Sequence, residues 1–231
     1  MKRFYKQVSI KQIENEYCIE LDNKPVKTQA GKLLQASKDI ASLLAWEWEE
    51  QVDVINPLVM PVNQFVMTTM DALRPRHELI DHIMSFIDTD LVFYRSDTEP
   101  YKTKQAQFWD KWIALAEEKC SITLKTTSRI EALTQDAAFS EYLKNYLEGL
   151  DDLSLTVFVS LVDETSSPVL AHAMFEKIAR VEEIFEAVFV EDLIRAEIYN
   201  EDLYGAAPDQ EKKRKSLRLN LEAMEKLIAL V

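Results

Sequence analysis

The sequence predicts an α+β protein, with a small N-terminal strand-rich domain followed by a C-terminal orthogonal α-helical bundle, on three observations. Residues 17–21 alternate in strand fashion, with Tyr17, Ile19 and Leu21 on one side and Cys18 and Glu20 on the other. From residue 37 onward, apolar residues recur three and four apart, the spacing of one helical face. Only 3 Gly and 7 Pro occur in 231 residues, which suits a helix-rich chain with few specialised turns or phosphate-cradling loops.

The elements follow in order. Residues 3–34 read as short strands, with Asp22-Asn23-Lys24-Pro25 as a turn before residues 26–28 and Ala30-Gly31-Lys32 as a second turn before Leu33 and Leu34. Residues 37–51 read as a helix, with Ser37 placed to cap it and Asp39 in its first turn suiting the dipole. Asn56-Pro57 and Met60-Pro61 interrupt the pattern, because a residue before proline is pushed out of helical space. A domain boundary is placed here, giving residues 1–57, signature helix included, and residues 58–231. Helices are expected at 62–73, 77–87, 104–118 and 136–147, the last ending at Gly149, with a strand at 121–126 from the alternation of Ile122 and Leu124. Residues 153–162 are nearly all apolar and long enough for a buried helix, although periodicity alone leaves a strand open. Ser166-Ser167-Pro168 starts a helix at 169–178, one helix spans 181–199, and residues 210–230 close the chain with Leu217, Leu221, Met224 and Ile228 facing inward.

Two helices carry polar residues inside their apolar stripes. In the first, Glu47 and Gln51 share a face with Ile40, Leu43, Leu44 and Trp48, while Trp46 projects from the outer face. An unmet polar group inside costs about 1–3 kcal/mol, so another part of the chain must clamp this helix. Tyr94 and Arg95 are the proposed clamp, since they bring a hydroxyl and a planar donor fork. In the second helix, Asp192 and Arg195 fall within the stripe of Val181, Phe185, Val188, Ala196 and Tyr199. A further apolar line of Ala187, Val190, Ile194 and Ile198 makes that helix either central to the bundle or the bearer of a partner surface.

Charge and composition exclude several functions. Forty acidic against 27 basic residues give a net charge of −13, which argues against nucleic acid or an anionic membrane as partner. Cys18 and Cys120 form no disulfide or zinc framework, so a reducing compartment is expected. No window approaches the roughly 20 apolar residues of a membrane span. The chain runs from Met1 straight into patterned sequence, with no stretch of the signal or transit type, so a cytoplasmic setting is expected. His77 and His82 are five apart, whereas two zinc ligands of an HExxH helix are four apart. His172 has no assigned role, and the run 212–215 reads as a solvated face. No phosphate-binding or nucleophile-elbow motif is present, and no cofactor, metal or catalytic residue is expected, which favours a binding function.

The run Leu44-Ala45-Trp46-Glu47-Trp48-Glu49-Glu50-Gln51 resembles the Leu-Ala-x-Glu-Trp-x-x-Gln signature of the assembly chaperones for the alpha subunit of the ATP synthase catalytic head. Further matches follow in order: Lys2-Arg3-Phe4-Tyr5-Lys6, Leu21-Asp22 with Pro25-Val26-Lys27-Thr28, then Pro57, Met60, Pro61, Thr68 and Asp71. Thr89-Asp90-Leu91 with Tyr94-Arg95, and Gln105 with Trp109-Asp110, continue the pattern. The last block is kept in Glu191-Asp192, Glu197 and Asp202. It departs from the family at Arg195 for Gln, Tyr199 for Trp and Asn200 for Gly, while Gln29 stands for an earlier Pro.

The chain is thus similar to bacterial members of that family. The resemblance implies a monomeric chaperone that transiently binds the unassembled alpha subunit and shields its beta-subunit interface without hydrolysing ATP. The partner surface is placed at Glu191, Asp192, Arg195, Glu197, Tyr199 and Asp202, with Trp46 as a second candidate. Glu47, Trp48, Gln51, Asp90, Tyr94 and Arg95 form the structural signature. Two other classes stay open: a small-molecule enzyme built on buried Glu47 and Asp192, and a helical scaffold with a different client.

Overall fold

In the computed structural model, which describes residues 1–198 and 208–231, Asp22 and Asn23 take left-handed backbone angles and turn the chain tightly between two strands. The strands are β1 (Val8–Ile13), β2 (Glu16–Leu21), β3 (Lys24–Pro25) and β4 (Gln35–Ala36). β2 is central: β1 pairs antiparallel along one edge, Val8 opposite Leu21, while β3 and β4 share the other edge. Gly31, at φ +81, supports the turn between Thr28 and Lys32, a conformation that a side chain would strain. Both sides of β2 are covered from Cys18 to Leu21, so the expected half-exposed alternation holds only at its start. Glu20 tolerates this because Lys11 on β1 reaches it at 3.3 Å.

Ten helices follow among the described residues: α1 (Lys38–Glu49), α2 (Pro61–Asp71), α3 (Arg76–Met84), α4 (Tyr101–Cys120), α5 (Ala137–Gly149), α6 (Asp152–Thr165), α7 (Pro168–Phe175), α8 (Val181–Val188), α9 (Val190–Ile198) and α10 (Pro208–Ile228). The order of strands and then helices bears out the α+β class. α1 lies on β1 and β2 and reaches α2, while α6 is the axis of the bundle, touching α2, α3, α7 and α10. The run 153–162 is therefore helix, and it is apolar nearly all round because neighbours surround it. Each of its buried Leu, Val or Phe side chains contributes roughly 1.5–3 kcal/mol relative to exposure. Leu217, Leu221, Met224 and Ile228 all face inward on α10, as their spacing predicts.

Three expected elements differ. Residues 121–126 form no strand: Ser121 is left-handed as it ends α4, and only Thr127 makes a bridge, with Tyr94. The segment is instead pinned by side chains, with Glu117 accepting from the Leu124 amide and Gln135 from the Lys125 amide. Ser37 precedes α1 but makes no side-chain cap. The single helix expected at 181–199 is two, broken at Phe189, whose φ −97 and ψ 14 leave the helical ladder.

α7 is buried along its whole length, His172 included. The His172 Nε2 lies 2.9 Å from the Tyr142 hydroxyl, and its ring meets Tyr146 edge-on at 4.7 Å. Burial holds its pKa below the ordinary value of 6.5, against the smaller opposing effect of Glu176. A histidine kept neutral in the fold binds fewer protons than in the unfolded chain. Its contribution to stability is thus complete above about pH 6.5 and is lost as pH falls below that. Unfolding titrations from pH 7.5 to 5 should therefore show the native chain losing stability relative to His172→Phe, the difference that isolates His172 from other titrating groups.

Candidate functional site

Asn63 and Val62 present free backbone N–H groups, as the first turn of any helix does, and Met60 at the cap position offers no side-chain acceptor. Glu47 of α1 supplies it. One carboxylate oxygen accepts from the Val62 amide at 2.8 Å, and the other accepts from the Asn63 amide at 2.9 Å and its side-chain Nδ2 at 2.7 Å. Asn63 completes the lock, accepting from the Trp48 indole at 2.8 Å and donating to the Leu44 carbonyl at 3.2 Å. A carboxylate at a helix N-terminus meets both aligned donors and a favourable dipole. Burial nevertheless pushes Glu47 above its usual range, because only 3% of the residue is exposed.

Gln51 is held just as closely: its amide donates to the Glu47 carbonyl at 3.0 Å and accepts from the Asn56 amide at 2.9 Å. The Tyr5 hydroxyl reaches the Trp48 carbonyl at 2.6 Å, and Arg3 donates to the Gln51 carbonyl. Helix α1 is thus clamped as its buried polar residues require, but by Asn63 and the opening segment. Tyr94 and Arg95 lie elsewhere, which corrects the proposed pairing. The Tyr94 hydroxyl donates to the Asp88 carbonyl at 3.0 Å and accepts from the Leu133 amide at 3.2 Å. Arg95 bonds the Val92 carbonyl at 2.8 Å, pairs with Asp110 at 2.8 Å and stacks over Trp109.

Asp90 forms a second lock of the same kind. Fully buried, it accepts from the Val92 amide at 3.0 Å and from the Val169 amide at 2.9 Å, tying the 91–93 turn to the start of α7. Burial pushes its carboxyl up to about 6, opposed by the Ser167 hydroxyl and the two amides.

The residues expected to form a partner surface fall in two places. On α9, Glu191 accepts from Gln105 at 3.0 Å, Arg195 pairs with Asp192 at 3.4 Å, and Glu197 pairs with Lys104 at 3.1 Å. Asp192 and Arg195 are therefore not buried within a stripe, as the sequence pattern had them: Arg195 is exposed, and the Asp192 side chain keeps 25% of its surface. Ile198, on the second apolar line, is also exposed, whereas Ala187, Val190 and Ile194 of that line stay buried on both sides of the break. Tyr199, Asn200 and Asp202 lie outside the described residues.

The second place flanks α1. Trp46 projects as expected, 49% exposed, with the Lys226 ammonium 5.0 Å from its ring centre. Between α1 and α10 runs a groove of about 400 Å³, bordered by Trp46, Val52, Val54, Val59, Leu219 and Ala223. Sequence reasoning missed the three valines, which sit in the irregular stretch between α1 and α2; their signal was apolar residues in a loop. Glu47 borders this groove but Asp192 does not, and Glu47 spends both oxygens on three donors. Glu47 and Asp192 therefore do not meet in this groove.

Comparison with known proteins gives one consistent result. The family described as ATP12 chaperone protein matches residues 2–117. The mitochondrial protein atp12 of Schizosaccharomyces pombe is 25% identical over 172 residues, and the match spans 68% of this chain and 59% of that protein, less than two thirds of its length. The crystal structure of Atp12 from Paracoccus denitrificans superimposes with a TM-score of 0.84 at 23% identity, covering 99% of this chain and 97% of that one. The Atu1473 protein of Agrobacterium tumefaciens superimposes at 0.81 with 28% identity, covering 99% and 85%.

Proposed function

Since the chain belongs to the ATP12 chaperone protein family, whose model spans residues 2–117, we propose that it is an assembly chaperone for the F-type ATP synthase catalytic head. It holds the unassembled alpha subunit, covers the surface destined for the beta subunit, and performs no reaction of its own. An isolated subunit exposes apolar interface prone to aggregation, and an acidic partner can cover that interface reversibly. Family membership is the observation that carries this function. The fixed frame built by Glu47 and Asp90 supports it, because both carboxylates are consumed in holding helices together. A cytoplasmic monomer belongs to the same proposal.

The α9 surface of Glu191, Asp192, Arg195 and Glu197, with Tyr199 and Asp202 beyond the described residues, is the proposed client contact. Charge reversal tests it directly. Asp192→Lys combined with Glu197→Lys alters one part-exposed and one exposed carboxylate, each in a surface ion pair, so the melting temperature should stay within a few degrees of the native one. Suppression of alpha-subunit aggregation, followed by light scattering, should fall at least tenfold. Full suppression by the folded double variant would remove α9 from the contact.

A further inference from the structure

Among the described residues, seven of the fourteen exposed large apolar side chains lie around α1 and the loop that follows it. Trp46, Val52, Val54, Leu58 and Val59 lie in α1 and the loop that follows it, and Met1 and Phe4 join them because the opening segment pairs with residues 53–55. Val52 is 75% exposed, although the loop around it is tied down by backbone and Gln51 hydrogen bonds. Isolated exposed apolar residues are ordinary; a contiguous set bordering a groove marks a contact surface.

The groove's lip adds charge. Glu50 and Glu222 are exposed on opposite sides of it, and Lys226, the cation among the bordering residues, is drawn over the Trp46 ring. We propose that the groove between α1 and α10 receives an extended apolar segment of the client carrying a Lys or Arg side chain, which pairs with Glu50 and Glu222. The proposal deepens the client-binding function above and rests on it. Charge complementarity selects the occupant, since a second copy of a −13 chain would bring net like charge to an acidic lip. A volume of about 400 Å³ suits a few side chains of a strand-like segment.

Tryptophan quenching gives a direct test. Of the four tryptophans, Trp48, Trp109 and Trp112 are buried, so acrylamide acts mainly through Trp46. The probes are two synthetic dodecapeptides without aromatic residues, rich in Val and Leu, one with two Arg and the other with two Glu at the same positions. The Arg peptide should shield Trp46 and bind about fivefold more tightly at low salt, with the difference narrowing as salt screens exposed pairs. Glu50→Lys combined with Glu222→Lys should reverse the preference. Absence of shielding, equal binding of the two peptides, or an unchanged preference in the double variant would overturn the proposal.

A second arm uses isolated alpha subunit with the Val52→Asp, Val54→Asp chain, checked by circular dichroism. Loss of aggregation suppression supports the groove as the client's seat. Full suppression removes the groove and leaves the alpha-subunit function standing. Failure of the native chain to suppress aggregation defeats that function instead, and the peptide titration alone then decides whether the groove binds apolar basic segments.

Discussion

Glu47→Ala should lower the unfolding free energy by at least about 3 kcal/mol, since it strips the acceptor from three buried donors that each cost about 1–3 kcal/mol when unmet. Total stability for a domain is only about 5–15 kcal/mol, so the variant should be largely unfolded at modest urea. Glu47→Gln keeps one acceptor oxygen but turns an amide donor toward the donors of the Asn63 pair, and should lose about half as much. Trp48→Phe removes one hydrogen bond to Asn63 and should cost roughly 1–2 kcal/mol including the packing change. Urea unfolding of the three variants checks the order. A loss below about 1 kcal/mol in Glu47→Ala would show that water replaces the carboxylate and that the lock holds little.

Asp90→Asn should produce the second large effect, and one with a distinct pH signature. The substitution points an amide at the Val92 or Val169 N–H in a fully buried site, which should cost about 2–4 kcal/mol at neutral pH. In the native chain the Asp90 carboxyl is raised from 3.8 to about 6, so between those values the folded state holds a proton that the unfolded state has released. That contribution is complete below about pH 4 and is lost as pH rises through 6. At 1.36 kcal/mol per unit, a shift of about two units amounts to about 3 kcal/mol. The native chain's advantage over Asp90→Asn should therefore widen by up to that amount between pH 7 and pH 4. His172 contributes with the opposite sign in an overlapping window, but it is common to both chains and cancels in their difference. An advantage independent of pH would mean that Asp90 is not the titrating group.

The helical part of the fold was legible because its strongest signal is periodic. Ile40, Leu43, Leu44 and Trp48 place α1 without any tertiary information, and the polar residues at 47 and 51 announce that something must meet them. What meets them was not legible. Asn63 follows a proline break and carries no mark of its role, whereas Tyr94 and Arg95 offered more conspicuous chemistry and drew the assignment away. The break at Phe189 is invisible in sequence because no Gly or Pro stands there and apolar residues continue on both sides. Asp192 and Arg195 continue the stripe of Val181, Phe185 and Val188 in sequence, but α9 buries the line of Val190 and Ile194 instead, which leaves Asp192 and Arg195 in an ion pair at the surface. Similarly, the Ile122 and Leu124 alternation mimicked a strand, yet the segment finds its partners in the Glu117 and Gln135 side chains. The apolar lip of Val52, Val54 and Val59 shows that an irregular segment's contribution to a surface depends on where its flanking helices carry it.

Size-exclusion chromatography of the purified chain mixed with isolated ATP synthase alpha subunit, before and after beta subunit is added, shows whether the chain holds alpha until beta displaces it. A one-to-one complex should form, and the chain should be released free as alpha and beta associate. Co-elution of all three, or no complex of the chain with alpha, would contradict a holder that covers the surface destined for beta.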